Sequence, residues 1–313
     1  MSTFIQITEV GPRDGFQNIK AFIPTDLKIK IIDRLVESGI GAMEITSMVS
    51  PKAIPQMRDA REVIQHVLNT HPHIIPSVLV PNVKGASLAS EAGIQNINYV
   101  VSVSPAHNKA NINRTHAESL EDLYKIRHTF PEMTITLSLA TVFGCPFIGE
   151  TSRETLMDMI KFADDLGISA VTLCDTIGVA NPTQTLSVLR GIQQKFPKMD
   201  IGLHLHNTHG MALACMFAGV QLGITRFETA VGGLGGCPFA PGAAGNAATE
   251  DAVNMFNRMG FDTGISLPDL LDIANLIRST IEPTLLSSLS RARTYSEFDF
   301  CSEKIRPLIR KQT

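Results

Sequence analysis

The sequence predicts an α/β protein, specifically a (β/α)8 TIM barrel with additional C-terminal helices. Eight apolar, β-branched segments recur along the 313 residues, and their starting points differ by about 23 to 37 residues, the length of one strand–helix unit. Helix-like segments lie between them, and no Pro/Ser-rich linker interrupts the series. Polar residues capable of chemistry fall at the ends of the predicted strands, where such barrels carry their active sites.

The predicted strands are short apolar runs, as expected of parallel strands that are buried on both faces. They are Ile5–Val10, Ala42–Thr46, Ile74–Val80, Ile97–Val103, Thr134–Thr141, Ala170–Asp175, Ile201–His206 and Arg226–Val231. An open doubly wound sheet is the alternative fold. That fold often carries a glycine-rich phosphate loop after its first strand, and Gly11-Pro-Arg-Asp-Gly15 does not match one.

The segments between the strands carry the signals with which helices begin and end. Thr115…Glu118 and Thr151…Glu154 each fit a capping box, in which a hydroxyl and a carboxylate bond the first free N–H groups. Asn181 before Pro182 fits an N-cap followed by proline at the first helical position. An apolar face over residues 27–36 is followed by Gly39, a residue type common just after a helix.

We expect a single catalytic barrel domain over residues 1–313, with residues 259–313 forming a helical extension packed on the barrel. Within the extension, Leu267–Ile281 has a helix-like pattern, and the segment from Arg291 onward is polar without a motif. The Gly/Pro and polar content nowhere rises enough to indicate a second domain or a disordered linker.

Composition limits the classes of function. The 44% hydrophobic and 18% charged residues suit a compact globule, and a net charge of −3 gives no indication of nucleic-acid or membrane binding. Five widely spaced cysteines without a C-x-x-C pair read as free thiols in a reducing compartment. No targeting or transmembrane segment is visible, so we expect a cytoplasmic protein that acts on a small molecule and is compatible with a homo-oligomer.

A metal site is predicted at the end of the seventh strand. His204 and His206 are two residues apart, so on a strand their imidazoles project from the same face. Asp14 and Asn246 can add a carboxylate and an amide oxygen, a mixed set that suits Mg²⁺ or Mn²⁺ better than structural Zn²⁺. The structural alternatives are an Asx-turn before Gly15 for Asp14, and an N-cap of a helix starting at residue 247 for Asn246.

Other strand ends supply candidate catalytic groups. Arg13 can stabilise a developing negative charge, and its structural alternative is a salt bridge to Glu9 or Glu44. Asp175 can orient a histidine or Arg13, or simply cap the following turn.

Cys237 lies in a glycine-rich loop after the eighth strand, which suits a lid that brings a thiol over bound substrate for acid or base catalysis. Its alternative is a small buried apolar residue. Cys174 and Cys215 read as core residues, and Cys145 lies in a similar Gly-Cys-Pro-Phe segment after strand five.

Longer stretches resemble the hydroxymethylglutaryl-CoA lyases, within the metal-dependent TIM-barrel lyases and acyl-CoA-dependent synthases. The resemblance covers roughly residues 4 to 285, and its most specific parts are His-Leu-His-Asn-Thr at 204–208 and the Gly-Gly-Leu-Gly-Gly-Cys-Pro loop from 232. The loop is the feature that separates the lyases from the synthases. Further matching segments are 9–18, 44–52, 55–57, 80–85, 144–149 and 175–179.

The resemblance implies retro-Claisen cleavage of 3-hydroxy-3-methylglutaryl-CoA to acetyl-CoA and acetoacetate, with a place in leucine degradation and ketone-body formation. It implies a cation bound by Asp14, His204, His206 and Asn246, with His204 and Asp14 also part of the catalytic site. Arg13 would stabilise the enolate, Cys237 would transfer a proton, and Glu44 would lie near the site. The stretch that contains Lys109, Asn111 and Asn113 would lie near the CoA chain.

The sequence also departs from the family pattern. Ile19-Lys20 stands where Glu-Lys is frequent, Asn207 where Asp follows the second histidine, and Cys174 and His209 replace common residues. None of these changes removes a predicted metal ligand, but they leave the acyl group open. A related substrate such as citramalyl-CoA is one alternative, an isopropylmalate- or homocitrate-type synthase is a second, and a barrel with a vestigial site is a third.

Overall fold

The computed structural model describes residues 3–236 and 245–292, and it confirms the predicted barrel. Eight parallel strands form one closed sheet in which each strand lies beside its neighbour in sequence and β8 pairs with β1. The strands are β1 (Gln6–Glu9), β2 (Ala42–Ser47), β3 (Ile75–Val80), β4 (Asn96–Ser102), β5 (Thr134–Ala140), β6 (Ala170–Asp175), β7 (Asp200–Leu205) and β8 (Arg226–Thr229).

Ten α-helices in the described part of the chain surround the sheet or extend it. They are α1 (Thr25–Glu37), α2 (Ala60–Thr70), α3 (Val83–Glu91), α4 (Pro105–Ile112), α5 (His116–Thr129), α6 (Arg153–Asp165), α7 (Pro182–Lys195), α8 (Ala212–Gln221), α9 (Thr249–Arg258) and α10 (Leu267–Thr280). Shorter helical turns cover Gly11–Gly15, Pro55–Met57, Val231–Gly233 and Leu289–Arg291. None of the helices in the described ranges is both long enough and apolar enough to cross a membrane.

The predicted strand boundaries agree with the structure to within two residues. The largest difference is at β8, which ends at Thr229 because the chain then turns through Val231–Gly233. Gly232 and Gly233 have φ angles of 73° and 70° in this turn, a backbone region that glycine enters at little cost. The turn begins the glycine-rich loop at the mouth of the barrel.

Most of the predicted helix signals are confirmed, and one is wrong. Thr115 and Glu118 form the reciprocal capping box at α5, and Asn181 caps α7 by accepting from the backbone N–H of Gln184. At α6 the N-cap is Ser152 rather than Thr151. The Thr151 hydroxyl instead donates to the backbone carbonyl of Val142 at 3.0 Å, which leaves the next residue to cap the helix.

The main hydrophobic core lies between the sheet and the helices. Its residues alternate along the strands and follow the inner faces of the helices, so one cluster connects every layer of the barrel. The C-terminal helix α10 joins this cluster through buried Leu270, Ile273, Ala274 and Ile277, and the additional helix is therefore confirmed. Cys174 and Cys215 are buried, as predicted, and so is Cys145. The assignment of residues 1–313 to one domain stays a prediction.

Phe256 on α9 offers a test of this packing, because it is fully buried and its ring centroid lies 5.0 Å from that of Phe227. We expect Phe256→Ala to lower the free energy of unfolding by about 3 to 5 kcal/mol through lost burial and the remaining cavity. Phe217 on α8 is 45% exposed and provides a matched control. Urea unfolding should show a much smaller change for Phe217→Ala; equal losses in the two variants would contradict the assigned core.

Candidate active site

The carboxyl ends of the strands surround a cavity of about 500 Å³. Its wall combines polar side chains with apolar ones such as Val49, Ile54, Leu79 and Val80. Among the polar residues of the wall are Arg13, Asp14, Asn98, Ser138, His204 and Glu228. These side chains come from five strands or strand ends, so the closed sheet brings together residues far apart in sequence.

The histidine pair lies on one face, as the alternation along a strand predicts. His204 is in β7, and His206 follows the strand and forms an isolated bridge with Asn246. Their Nε2 atoms are 3.2 Å apart, and both side chains are buried. The two imidazole edges therefore point at a common region of the cavity wall.

Asp14 and Asn246 complete a cluster around this region. The turn Gly11–Gly15 places Asp14 so that its Oδ2 atom lies 4.0 Å from the Nε2 atom of each histidine. The Asn246 Nδ2 group donates to the same oxygen at 2.6 Å. Asn246 is not an N-cap, since α9 begins at Thr249 and is preceded by Ala248.

The cluster has the donor atoms and the spacing that a divalent metal ion requires. Donor atoms of Asp14, His204 and His206 all lie within 4.8 Å of one another. The Oδ1 atom of Asn246 is buried and has no hydrogen-bond partner among the described residues. The Nδ2 group of the same amide donates to Asp14 Oδ2 and to the carbonyl of Leu234, so the orphaned Oδ1 atom is the one left over for a further partner such as a cation. These four side chains can therefore hold a cation with nitrogen and oxygen ligands.

The charges of the cluster favour the ligand forms of Asp14 and His206. Burial opposes ionisation of Asp14, but Arg13 and the two histidines outweigh it and lower its pKa to about 2. Burial and the charge of His204 lower the pKa of His206 to about 4. At neutral pH, Asp14 is therefore an anion and His206 is a neutral imidazole with a lone pair.

Arg13 is held in place by two carboxylates. Its Nε group donates to Glu44, and its Nη1 group donates to Asp14 Oδ1 at 2.6 Å. Glu44 Oε1 accepts from Asn98 Nδ2 at 2.9 Å, and Asn98 Oδ1 accepts from the Ser138 hydroxyl at 2.7 Å. This chain of hydrogen bonds runs across β2, β4 and β5 and fixes the guanidinium at the cavity wall.

The sequence predicts a salt bridge from Arg13 to either Glu9 or Glu44, and Arg13 pairs with Glu44. The other candidate, Glu9, accepts from the backbone N–H groups of Gly11 and Val231 and from the Thr249 hydroxyl. Glu9 therefore links β1 to the start of the glycine-rich loop and to α9. Glu250 accepts from the N–H of Gly232, so a second buried carboxylate holds the same turn.

Glu228 on β8 is a site residue that the sequence analysis missed. Its Oε2 atom accepts from His204 Nδ1 at 2.9 Å, and its Oε1 atom accepts from the Thr172 hydroxyl at 3.0 Å. The bond to Nδ1 leaves the Nε2 atom of His204 facing His206 and Asp14. Burial lowers the pKa of His204, but Glu228 outweighs it and the net shift is upward. The sequence signal for Glu228 is the alternation of apolar and polar residues along the predicted strand, in Phe227-Glu228-Thr229.

Asp175 caps the turn that follows β6, which is the structural role that the sequence also allowed. It accepts from the backbone N–H groups of Val179 and Ala180 at 3.0 and 2.9 Å, so it caps the turn after β6. The side-chain bond that would orient a histidine is made by Glu228 instead of Asp175, and its partner is His204 Nδ1.

The three residues predicted near a CoA chain lie at and beside α4, and one of them reaches the cavity. Asn111 is part of its wall, together with Arg114, which the sequence analysis did not select. Lys109 Nζ donates to the carbonyl of Asn113 at 3.2 Å, and Asn113 ends α4 with a φ of 55°. The two side chains outside the wall mark one rim of the opening.

Cys237 lies outside the described residues, so its predicted catalytic role stays a prediction. Gly235, near the described end of the loop, lies beside Asn246 and Asp14 and has a φ of 120°. A Cβ atom at this position would lie 2.5 Å from the Nδ2 atom of Asn246. A side chain at position 235 would therefore displace Asn246 from Asp14.

The chain belongs to the HMGL-like family, whose sequence model matches residues 4–277. It is 41% identical over 285 residues to a hydroxymethylglutaryl-CoA lyase of Bacillus subtilis, a match that covers 90% of this chain and 95% of the relative. The resemblance inferred from the motifs and the prediction of a carbon–carbon lyase are both confirmed.

Two further relatives bear on the substrate. A solved HMG-CoA lyase from Acinetobacter baumannii, in complex with coenzyme A and 3-methylmalate, has a TM-score of 0.89 and 38% identity. That match covers 94% of this chain and 96% of the other. An (R)-citramalyl-CoA lyase of Chloroflexus aurantiacus is 35% identical over 299 residues, covering 92% of this chain and 94% of the relative.

Buried Glu9 should make stability depend on pH. Burial is the main cause that raises its pKa from 4.5 to about 7, so the folded state holds a proton that the unfolded state has released between these values. Stability then falls as pH rises through this window, by about 3 kcal/mol for this group alone. We expect Glu9→Gln to remove this part of the loss, since the amide oxygen still accepts backbone N–H groups.

The check is the unfolding free energy of the wild type and Glu9→Gln at pH 5, 6, 7 and 8. The unfolding free energy of Glu9→Gln minus that of the wild type should increase as pH rises. A difference that is independent of pH would show that Glu9 ionises alike in the folded and unfolded states.

Proposed function

We propose that this protein cleaves 3-hydroxy-3-methylglutaryl-CoA to acetyl-CoA and acetoacetate, with Mg²⁺ or Mn²⁺ bound by Asp14, His204, His206 and Asn246. The observation that carries the proposal is the convergence of these four side chains beside the guanidinium of Arg13 in one cavity. Membership of the HMGL-like family supports a lyase over a synthase or a barrel with a vestigial site.

When bound, a divalent cation supplies Lewis acidity that lowers the pKa of a coordinated hydroxyl group. The protein groups provide the remaining requirements of the reaction. The 3-hydroxyl loses its proton, the C2–C3 bond breaks, and C3 becomes the ketone of acetoacetate. The electron pair passes to the acetyl-CoA fragment as an enolate, which takes up a proton at C2; this proton balances the one lost from the hydroxyl, and Cys237 is the proposed transfer group.

Arg13 is the group best placed to stabilise the enolate oxygen. Its Nε and Nη1 groups are engaged by Glu44 and Asp14, so the guanidinium is oriented before substrate arrives. The Nη2 group carries further N–H donors on the same rigid plane, which can bond to a developing negative charge. Glu44 and Asn98 act through Arg13 by holding its orientation.

The cavity volume of about 500 Å³ suits an acyl group deep in the cavity, with the CoA chain leaving past α4. Asn111 and Arg114 line this side of the wall. The guanidinium of Arg114, which also pairs with Asp122, and the amide of Asn111 are suited to the phosphate and amide groups of CoA. Lys109 and Asn113, at the same helix end, remain proposed contacts for the outer part of the cofactor chain.

Citramalyl-CoA is the second candidate substrate because of the Chloroflexus aurantiacus relative. It carries the carboxylate one methylene closer to C3 and would yield pyruvate rather than acetoacetate. Discrimination of a single methylene is worth only about 10- to 200-fold in rate. A lyase with this site can therefore show measurable activity on both compounds, and the ratio of their kcat/KM values identifies the preferred one.

The deciding experiment is incubation with each of the two CoA esters and Mg²⁺, followed by separate measurement of acetoacetate and pyruvate. We expect the higher kcat/KM with 3-hydroxy-3-methylglutaryl-CoA and loss of activity when EDTA removes the metal. A preference for citramalyl-CoA would overturn the substrate, and retention of full activity after metal removal would overturn the mechanism. Roles in leucine degradation and ketone-body formation, a cytoplasmic location and a homo-oligomeric state are further proposals.

Cys237→Ser should lower kcat by about 10²- to 10⁴-fold, the range expected when a proton-transfer group is lost. We expect Mg²⁺ affinity to stay at the wild-type level, because Cys237 is not one of the proposed ligands. Cys215→Ser replaces a buried thiol on α8 and is the control for thiol loss. Loss of metal binding in Cys237→Ser would instead assign the thiol to the structure of the site.

Glu228→Gln should weaken divalent-metal affinity by about 10- to 100-fold, because the carboxylate that orients His204 through Nδ1 is lost. Asp175→Asn is the matched control, since Asp175 is also buried at a strand end but bonds only backbone N–H groups of its own turn among the contacts described. Isothermal titration with Mn²⁺ measures both variants. Equal affinities for the wild type and Glu228→Gln would remove Glu228 from the support of the metal site.

A further inference from the structure

A second group of metal-ligand side chains lies in the helical layer, outside the barrel mouth. Asp33 is on α1, His66 is in the last part of α2, and His71 is the residue that caps the end of α2. All three are partly exposed, with side-chain accessibilities of 30%, 26% and 11%. The lyase reaction proposed above uses none of them.

The two histidines of this group point at the same carboxylate oxygen. The Nε2 atoms of His66 and His71 each lie 2.7 Å from the same carboxylate oxygen, Oδ1 of Asp33. One ligand atom from each residue falls within a set whose members are no more than 4.8 Å apart. Both imidazoles therefore hydrogen-bond one carboxylate oxygen through Nε2, and the same three atoms are near enough to surround a cation in place of these bonds.

We propose that Asp33, His66 and His71 form a second divalent-metal site, selective for Zn²⁺ and similar transition-metal ions over Mg²⁺. Two imidazole nitrogens and one carboxylate oxygen are the ligand set of several zinc centres that keep a fourth position for water. Mg²⁺ favours oxygen ligands in an octahedral arrangement and is poorly served by this set. The partial exposure of the three side chains gives an ion access from solvent.

Binding requires only local movement. At metal–ligand distances of about 2.0 to 2.1 Å, neighbouring ligand atoms of a tetrahedral site are about 3.3 Å apart. Each Nε2 atom must therefore move roughly 0.6 Å away from Asp33 Oδ1, and the two rings must approach each other to the same spacing. Asp33 and His66 are the more exposed of the three side chains, so most of this movement falls on them rather than on His71. The Nε2 atoms of the bound form carry lone pairs rather than protons, so binding releases any protons they hold.

His73 lies beside this group. It is exposed, and its ring centroid lies 6.0 Å from that of His71 in an edge-to-face arrangement. The fourth position of the site is left to water. Because Asp33 is on α1 while both histidines belong to the end of α2, the bound ion would join two neighbouring helices of the outer layer. Zn²⁺ should therefore raise the unfolding temperature.

The test is a Zn²⁺ titration that separates the two sites. In a His204→Ala/His206→Ala background, which lacks the barrel cluster, we expect about one equivalent of Zn²⁺ to remain bound. Adding His66→Ala/His71→Ala should abolish it. His128→Ala is the matched control, because His128 is an exposed helix residue that stacks on Tyr124 and belongs to neither metal-ligand cluster of the described chain. Unchanged Zn²⁺ binding after loss of His66 and His71 would overturn the proposal.

A second measurement does not depend on the folding of the barrel variant. In the otherwise unchanged chain, His66→Ala/His71→Ala should lose about one equivalent of Zn²⁺ and the Zn²⁺-dependent rise in Tm, while its Mg²⁺-dependent lyase activity stays at the wild-type level. Co²⁺ titration should show the strong visible absorption of a tetrahedral site in the wild type and its loss in this variant. Absence of that loss would overturn the outer site without affecting the proposed reaction, whereas an inactive wild type would count against the reaction alone.

Discussion

Burial of charge is the constraint on which the mouth of the barrel depends. Asp14, Glu44, Glu228 and Arg13 are all removed from solvent, so each carboxylate needs a specific donor. Arg13 joins Asp14 to Glu44, and His204 partners Glu228. Removing Arg13 leaves buried Glu44 without its cation, and removing His204 leaves Glu228 without the imidazole that bonds it.

Much of the architecture could be predicted from the sequence because its signals are local. Strand periodicity, helix caps and turn residues each act within a few positions, and the strand ends indicated where Arg13, Asp14 and His204 would meet. The single wrong capping box, at Thr151, failed for a non-local reason. Its hydroxyl bonds the carbonyl of Val142, a partner outside the helix.

The missed parts of the site depend on register between strands. Glu228 faces His204 because residues 204 and 228 are paired between β7 and β8. Asn98 and Ser138 matter only because β4 and β5 place them behind Glu44. Single-strand patterns mark such residues as inward-facing polar side chains but do not identify their partners. The outer Asp33 group was missed for a similar reason, since it joins two helices.

The contacts of Glu9 carry a consequence for biosynthesis. Its carboxylate meets Val231 and Thr249, and β1 completes its pairing only against β8. β1 therefore waits for residues synthesised more than two hundred positions later. Until then Glu9 lacks Val231 and Thr249, and Asp14 has Arg13 but not the Asn246 amide that bonds its other oxygen. The catalytic mouth is thus among the last parts of the chain to form, and a nascent chain cut short before β8 has a partial sheet but no site.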